Sequence, residues 1–310
     1  MFSMPGSSYD GTAPALDEQQ EDRRDRLERH VRTLAGDIGV RNVFHPGQLD
    51  RARNYIVEQW SGMGYEPTPR TFTVRNETVA NLEVERSGTT HPDEIILIGA
   101  HYDTVSTPGA DDNASGVAAL LELARAFRDR SPQRTLRFVA FVNEEPPFYR
   151  TEGEMGSWVY ARRAREEGEN IRAMISLEML GYYRDEDGSQ NYPFPLSLLY
   201  PSRGDFIGFV GNYSNRQLLR RCLGTFREHA TIPSEGGAPP GWISGVGWSD
   251  HWSFWQEGYP GIMVTDTAVF RNPHYHAPTD RPDTLDYTAM TQVVDGLEPV
   301  LTELAGPPDD

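Results

Sequence analysis

The sequence predicts an α/β fold: a three-layer α/β/α arrangement with a mixed, mostly parallel central sheet flanked by helices. Three observations carry this. Ile95-Ile96-Leu97-Ile98 and Phe138-Val139-Ala140-Phe141-Val142 are continuous apolar runs, the pattern of strands buried on both faces. Between them Val117, Leu120, Leu121, Ala124 and Phe127 form one helical stripe, so the chain alternates strand, helix, strand. Upstream, segments 70–75 and 79–85 alternate Thr, Val and Leu around Arg75-Asn76, which predicts an antiparallel pair.

The remaining elements follow in order. Residues 1–15 are small, polar and interrupted by Pro and Gly, and read as a flexible arm. Leu27, Val31 and Leu34 predict a first helix; Leu49, Ala52, Ile56 and Trp60 predict a second that ends near Gly62. Beyond the second buried strand the pattern predicts a helix at 156–166 and strands at 172–177 and 206–210. A helix from Ser214 to about 229 is expected to carry a capping box of Ser214 and Gln217. A helix at 250–257, a strand at 261–265 and a final helix at 287–305 complete the set. Segments 184–204 and 231–248, rich in Gly, Pro, Ser and aromatics, read as long loops of the kind that shape binding sites. No repeat or linker divides the chain, so residues 16–310 read as a single domain.

Acidic residues outnumber basic ones 46 to 29, for a net charge of −17. Such a surface repels nucleic acid and anionic membranes, so neither is expected as a partner. Cys222 is the only cysteine and can form no internal disulfide. No apolar run reaches the roughly 18 residues that span a bilayer, and no signal peptide is visible, so a cytoplasmic location is expected. The pattern fixes no oligomeric state.

Four polar clusters follow apolar strands: His101-Tyr-Asp103, Asn143-Glu144-Glu145, Glu178, and His274-Tyr275-His276 a short loop beyond 261–265. In open α/β sheets ligand sites gather beyond the carboxyl ends of the strands, so one cleft can collect all four. Carboxylates at several adjacent strand ends repel one another and lose hydration unless a cation neutralises them. Histidines mixed with carboxylates and no thiolate suit zinc, with cobalt or manganese as substitutes, better than calcium or magnesium.

The ordered motifs His-x-Asp, Gly-Ala-Asp-Asp-Asn-Ala-Ser-Gly, Glu-Glu, Ser-Leu-Glu-Met-Leu-Gly and Tyr-His-x-Pro-x-Asp resemble the dizinc aminopeptidases of metallopeptidase family twenty-eight, over about residues 45–305. The resemblance implies the zinc-exopeptidase fold and a catalytic domain. His101, Asp112 and Glu178 would then hold one zinc, and Asp112, Glu145 and His276 a second, with Asp112 as the bridge and a cis peptide after it. Glu144 would be the general base toward a hydroxide shared by the two ions, and Tyr275 would donate to the oxyanion. Independently of the resemblance, Asp103, two residues after His101 and so on the same side of an extended strand, is placed to accept the second ring N–H of His101 and fix its tautomer. Asp111 would be a neighbour of the site, Asp250 a residue that orients it, and His274 a rim residue. The substrates implied are peptides with a free N-terminus, the α-amine meeting Glu144 and Glu178. Phe148, Tyr149, Tyr182, Tyr183, Trp242 and Trp248 sit in loops that could line a side-chain pocket.

The resemblance is imperfect at Glu178, where relatives more often carry aspartate. A dipeptidase restricted to two-residue substrates fits the same loops. The alternative functions are a single-zinc aminoacyl transferase like the glutaminyl cyclases, or a non-catalytic binding protein on the same fold.

Overall fold

The computed structural model describes residues 4–306 except 193 and 195. Two helices open the fold: α1 (Glu18–Val31), continued by a wider turn through Ile38, and α2 (Pro46–Gly62). The antiparallel pair follows as β1 (Thr68–Val74) and β2 (Glu77–Arg86). Arg75 and Asn76 between them both have positive φ, 51° and 68°, the backbone of a two-residue hairpin turn that matches strand twist.

The alternating part consists of β3 (His91–His101), α3 (Gly116–Phe127), β4 (Arg134–Phe141), α4 (Gly156–Glu166) and β5 (Asn170–Glu178). Next come β6 (Ile207–Val210), α5 (Arg216–His229), β7 (Ser234–Gly237), α6 (His251–Gln256), β8 (Gly261–Thr265) and α7 (Tyr287–Ala305). One eight-stranded sheet runs in the order β1-β2-β4-β3-β5-β8-β6-β7. Its centre, β4-β3-β5-β8, is parallel; β2 joins antiparallel on one side and β6 on the other.

The continuous apolar runs are explained by two cores. Ile96, Ile98 and Ala100 pack with α1, α2, α3, α5 and α7, whereas Ile95 and Leu97 pack with Tyr160 and Ala161 of α4 and Phe254 of α6. Successive strand residues point to opposite faces, so both faces of β3 must be apolar.

Two local expectations need correction. The cap before α5 is Asn212, whose side chain accepts from the Asn215 N–H at the head of a short 3-10 turn; Ser214 and Gln217 form no capping box. Segment 231–248 contains β7, whose Ser-Glu-Gly-Gly sequence has none of the β-branched residues that mark a strand. Residues 4–15 form no helix or strand. The Pro5 and Gly6 carbonyls accept from Arg227 of α5, and Ser8 Oγ accepts from the Ser234 N–H; residues 1–3 lie outside the described residues. No helix among the described residues is long and apolar enough to cross a membrane.

Candidate metal centre

Each strand end delivers one part of the site. His101 is the last residue of β3 and Glu178 the last of β5; Glu144 and Glu145 follow β4 by a short turn. Asn143, Met179 and His276 have φ of 59°, 51° and 55°, a left-handed conformation that bends the chain beside the reactive side chains. Such conformations are uncommon outside glycine and concentrate at functional sites. Asp112 lies in the turn before α3, followed by a cis peptide to Asn113. Glycine is required at the head of that helix: a Cβ on Gly116 would meet the Asn113 side chain and, at 2.6 Å, the Leu177 carbonyl oxygen.

Four buried side chains and the half-buried His276 converge in two groups that share one residue. His101, Asp112 and Glu178 form the first and Asp112, Glu145 and His276 the second, the ligand atoms of each lying within 4.8 Å of one another. His101 Nε2 is 3.3 Å from Asp112 Oδ1 and 3.4 Å from Glu178 Oε2. His276 Nε2 is 3.1 Å from both Asp112 Oδ2 and Glu145 Oε2. Bonds of about 2.0–2.1 Å to a tetrahedral zinc put neighbouring ligand atoms roughly 3.3 Å apart, so these spacings fit a cation at the centre of each group. His101 Nε2, His276 Nε2 and Glu145 Oε1 are buried with no hydrogen-bond partner among the described residues, as atoms aimed at a cation would be.

Electrostatics point the same way. Burial pushes Glu144 well above the ordinary carboxyl range, with His101 opposing and Glu178 and Glu145 adding to it. Burial, then Asp112, push Glu145 up to about 8. Burial lowers His276, yet Asp112 and Glu145 hold it at about 10. The carboxylates thus draw a proton onto the imidazole, and a cation at the same point would displace it, because a ligating imidazole is neutral.

The surrounding hydrogen bonds hold this geometry. Ser249 Oγ donates to Glu178 Oε2 at 2.7 Å and meets Ser176 Oγ at 2.7 Å. Both oxygens of Asp280 accept from the backbone of the Asp112 turn, at 2.8 Å from Asp111 N–H and 3.1 Å from Asp112 N–H. Asp111 accepts from Asn272 Nδ2 and the Gly181 N–H, tying that turn to the loop that carries His276. Asp250 is buried behind the cluster, where burial pushes its carboxyl up to about 7.

Asp103 is placed differently from expectation. Alternation along an extended strand would bring its carboxylate to His101, but β3 ends at His101. His101 Nδ1 is therefore nearest the Asp103 backbone carbonyl, at 3.2 Å, with the carboxylate at 3.6 Å. The carboxylate instead accepts the Glu144 and Glu145 N–H groups at 3.1 and 3.2 Å, and so sets the turn that presents both glutamates.

Sequence reasoning also missed Arg41. It is fully buried and donates to the carbonyls of Leu34, Gly39, Tyr102, Pro108 and Gly109, fastening the loop between His101 and Asp112. Burial lowers its guanidinium to about 10, so it remains cationic at neutral pH. No spacing rule links an arginine to carbonyls sixty residues away, so the sequence held no signal for it. Arg41→Met leaves five carbonyls without that donor and is expected to lower stability by about 3 kcal/mol or more, read from denaturant unfolding.

The Tyr275 ring stacks on His276 at 3.9 Å between centroids, and its hydroxyl bonds no described residue. Burial, then Asp112 and Glu145, raise its pKa, so the phenol stays protonated. His274 bonds Thr279 Oγ1 at the rim, and His251 donates to or accepts from nothing in the cluster, its Nε2 meeting the Val246 carbonyl. Of the six aromatics expected to line a pocket, only Trp248 lines the cavity that opens beside Glu178 and Tyr275.

Comparison with known proteins fits this geometry. Residues 81–300 match the model of peptidase family M28. The uncharacterized protein YfbL of Escherichia coli K12 is 40% identical over 283 residues, 88% of this chain and 86% of that one. A probable leucine aminopeptidase of Arthroderma otae is 28% identical over 226 residues, 68% of this chain; the match spans only 53% of that protein. The fold is shared with BSAP, a zinc aminopeptidase from Bacillus subtilis (TM-score 0.72, 12% identity, 93% of this chain and 96% of that one). A glutaminyl cyclase of Fimbriiglobus ruber also shares it (TM-score 0.64, 18% identity, 94% and 97%). A family match of that extent, with a 40% identical relative aligned along most of both chains, makes this chain a member of peptidase family M28 and so a metal-dependent peptidase.

Proposed function

We propose that the chain is a dizinc aminopeptidase that hydrolyses the first bond of peptides with a free N-terminus. His101, Asp112 and Glu178 would hold one ion and Asp112, Glu145 and His276 the other. The observation that carries this reading is the split carboxylate of Asp112, one oxygen turned to His101 and the other to His276. Three carboxylates among the five ligands offset most of the charge of two divalent ions, which a single-ion site of cyclase type would not need. When bound, such a pair of ions acidifies water and polarises the scissile carbonyl.

The chain's own residues supply the rest. Glu144 lies outside both groups, its Oε2 4.0 Å from His101 Nε2, and is free to take the proton of the attacking water and deliver it to the leaving amine. Its raised pKa suits a group that must both accept and release a proton near neutrality. The unpartnered Tyr275 hydroxyl donates to the oxygen that gains charge as the carbonyl becomes tetrahedral. Glu144 and Glu178 give the substrate's α-amine an anionic partner and hold the first residue in register. The zinc aminopeptidase BSAP, which shares this fold, supports the choice of zinc, with cobalt or manganese as working substitutes.

The test is an aminoacyl amide and peptide panel with the zinc-loaded protein, each substrate supplied free and N-acetylated. Free substrates are expected to be cleaved at least a hundredfold faster; equal rates would remove the aminopeptidase assignment.

A further inference from the structure

Four residues stand in one row that runs across the sheet from the proposed metal site. Glu178 of β5 pairs with Thr265 of β8, Thr265 with Gly208 of β6, and Gly208 with Glu235 of β7. Residues directly opposite in a sheet share a face, so two carboxylates flank a threonine and a position with no side chain. A Cβ on Gly208 would lie 3.1 Å from the Thr265 carbonyl oxygen, and the glycine leaves this stretch of floor bare. Above the floor a cavity runs from Glu178 and Tyr275 to Glu235, walled by Tyr192, Tyr200, Trp248 and Phe270. Among the described residues that line it, Glu178 and Glu235 are the only charged ones.

Glu235 has one ion-pair partner, Arg227, at the long end of the range. Among the described residues its carboxylate accepts no hydrogen bond; the Arg227 guanidinium is 3.7 Å away, outside the cavity lining, and directs its donors to Ser234 and the Pro5 and Gly6 carbonyls. Burial raises the Glu235 carboxyl, with Arg227 opposing. A carboxylate so placed gains most from a cation that enters the cavity.

The span selects the cation. At about 4.8 Å per strand, three steps put the Glu178 and Glu235 backbones about 14 Å apart, with both side chains on one face. An extended lysine or arginine holds its α-amine and its side-chain cation roughly 7 Å apart. A contact of about 3 Å at each end brings the total to about 13 Å. Leucine, the same length of backbone with no distal charge, leaves Glu235 unanswered. The aromatic walls suit a methylene stem and the flat face of a guanidinium.

Resting on the aminopeptidase reading above, we propose that this cavity receives the side chain of the substrate's first residue and that Glu235 selects a long cationic one, lysine or arginine.

The test measures kcat/KM for lysyl, argininyl and norleucyl amides of one fluorophore with zinc-loaded wild type and Glu235→Gln. Norleucine keeps the lysine stem without its amine. Wild type is expected to favour lysyl over norleucyl at least tenfold, and Glu235→Gln to cut that ratio at least tenfold. A wild type that favours norleucyl overturns the proposal. So does a variant that slows all three substrates by one factor, the outcome if Glu235 merely anchors Arg227. Should no aminoacyl amide be turned over, the aminopeptidase reading fails, and calorimetric binding of argininamide and norleucinamide tests the pocket by itself. Argininamide binding weakened at least tenfold by Glu235→Gln supports it, and unchanged binding overturns it.

Discussion

Glu144→Gln is expected to lower kcat about a thousandfold while the protein keeps its zinc. The substitution preserves the shape of the side chain and removes its ability to carry a proton, and general acid–base catalysis contributes about 10²–10⁴ in rate. A thousandfold corresponds to about 4 kcal/mol of transition-state stabilisation. Zinc is retained because neither three-residue group includes Glu144. KM is expected to rise far less than kcat falls, since Glu178 would remain as a partner of the α-amine. Steady-state kinetics on the best amide substrate, with elemental analysis of the same sample, separate the two effects. Turnover within threefold of wild type would move the proton-transfer role to another group.

Asp112→Ala is expected to abolish turnover below detection and to remove the stabilisation that added zinc gives the wild type. Asp112 is the one residue common to both groups, so its loss leaves each with two donors. It also leaves His101 and His276 beside Glu178 and Glu145, with no carboxylate to join the pairs. Binding to the native state raises stability by mass action, and the zinc-dependent rise in Tm should vanish with the site. The turn itself should persist, because Asp280 holds it through backbone N–H groups that the substitution leaves in place. A variant that keeps the zinc-dependent rise in full would show that Asp112 is dispensable for binding.

Much of the site was legible in sequence for one physical reason. Strands buried on both faces stand out as continuous apolar runs, and polar residues immediately after them must lie at the ends of a sheet. His101, Glu145 and Glu178 could be placed that way before any contact was known. What stayed hidden depends on which strand lies beside which. Gly208 and Glu235 are remote from Glu178 in sequence and meet it only through the order β5-β8-β6-β7. Ser249, on the approach to α6, meets Glu178 through packing between separate elements. The hold of Asp103 on the Glu144 and Glu145 N–H groups was missed because strand alternation was carried past the last residue of the strand. Arg41 answers backbone carbonyls, which leave no trace in side-chain pattern.

One cluster at the strand ends is proposed to bind two ions through a shared aspartate. Zinc stoichiometry measures this directly, by elemental analysis of wild type and Asp112→Ala purified alike and dialysed against trace zinc. Two zinc ions per wild-type chain and fewer than one in the variant are expected. One ion in the wild type, or two in the variant, would rule out the shared-aspartate pair.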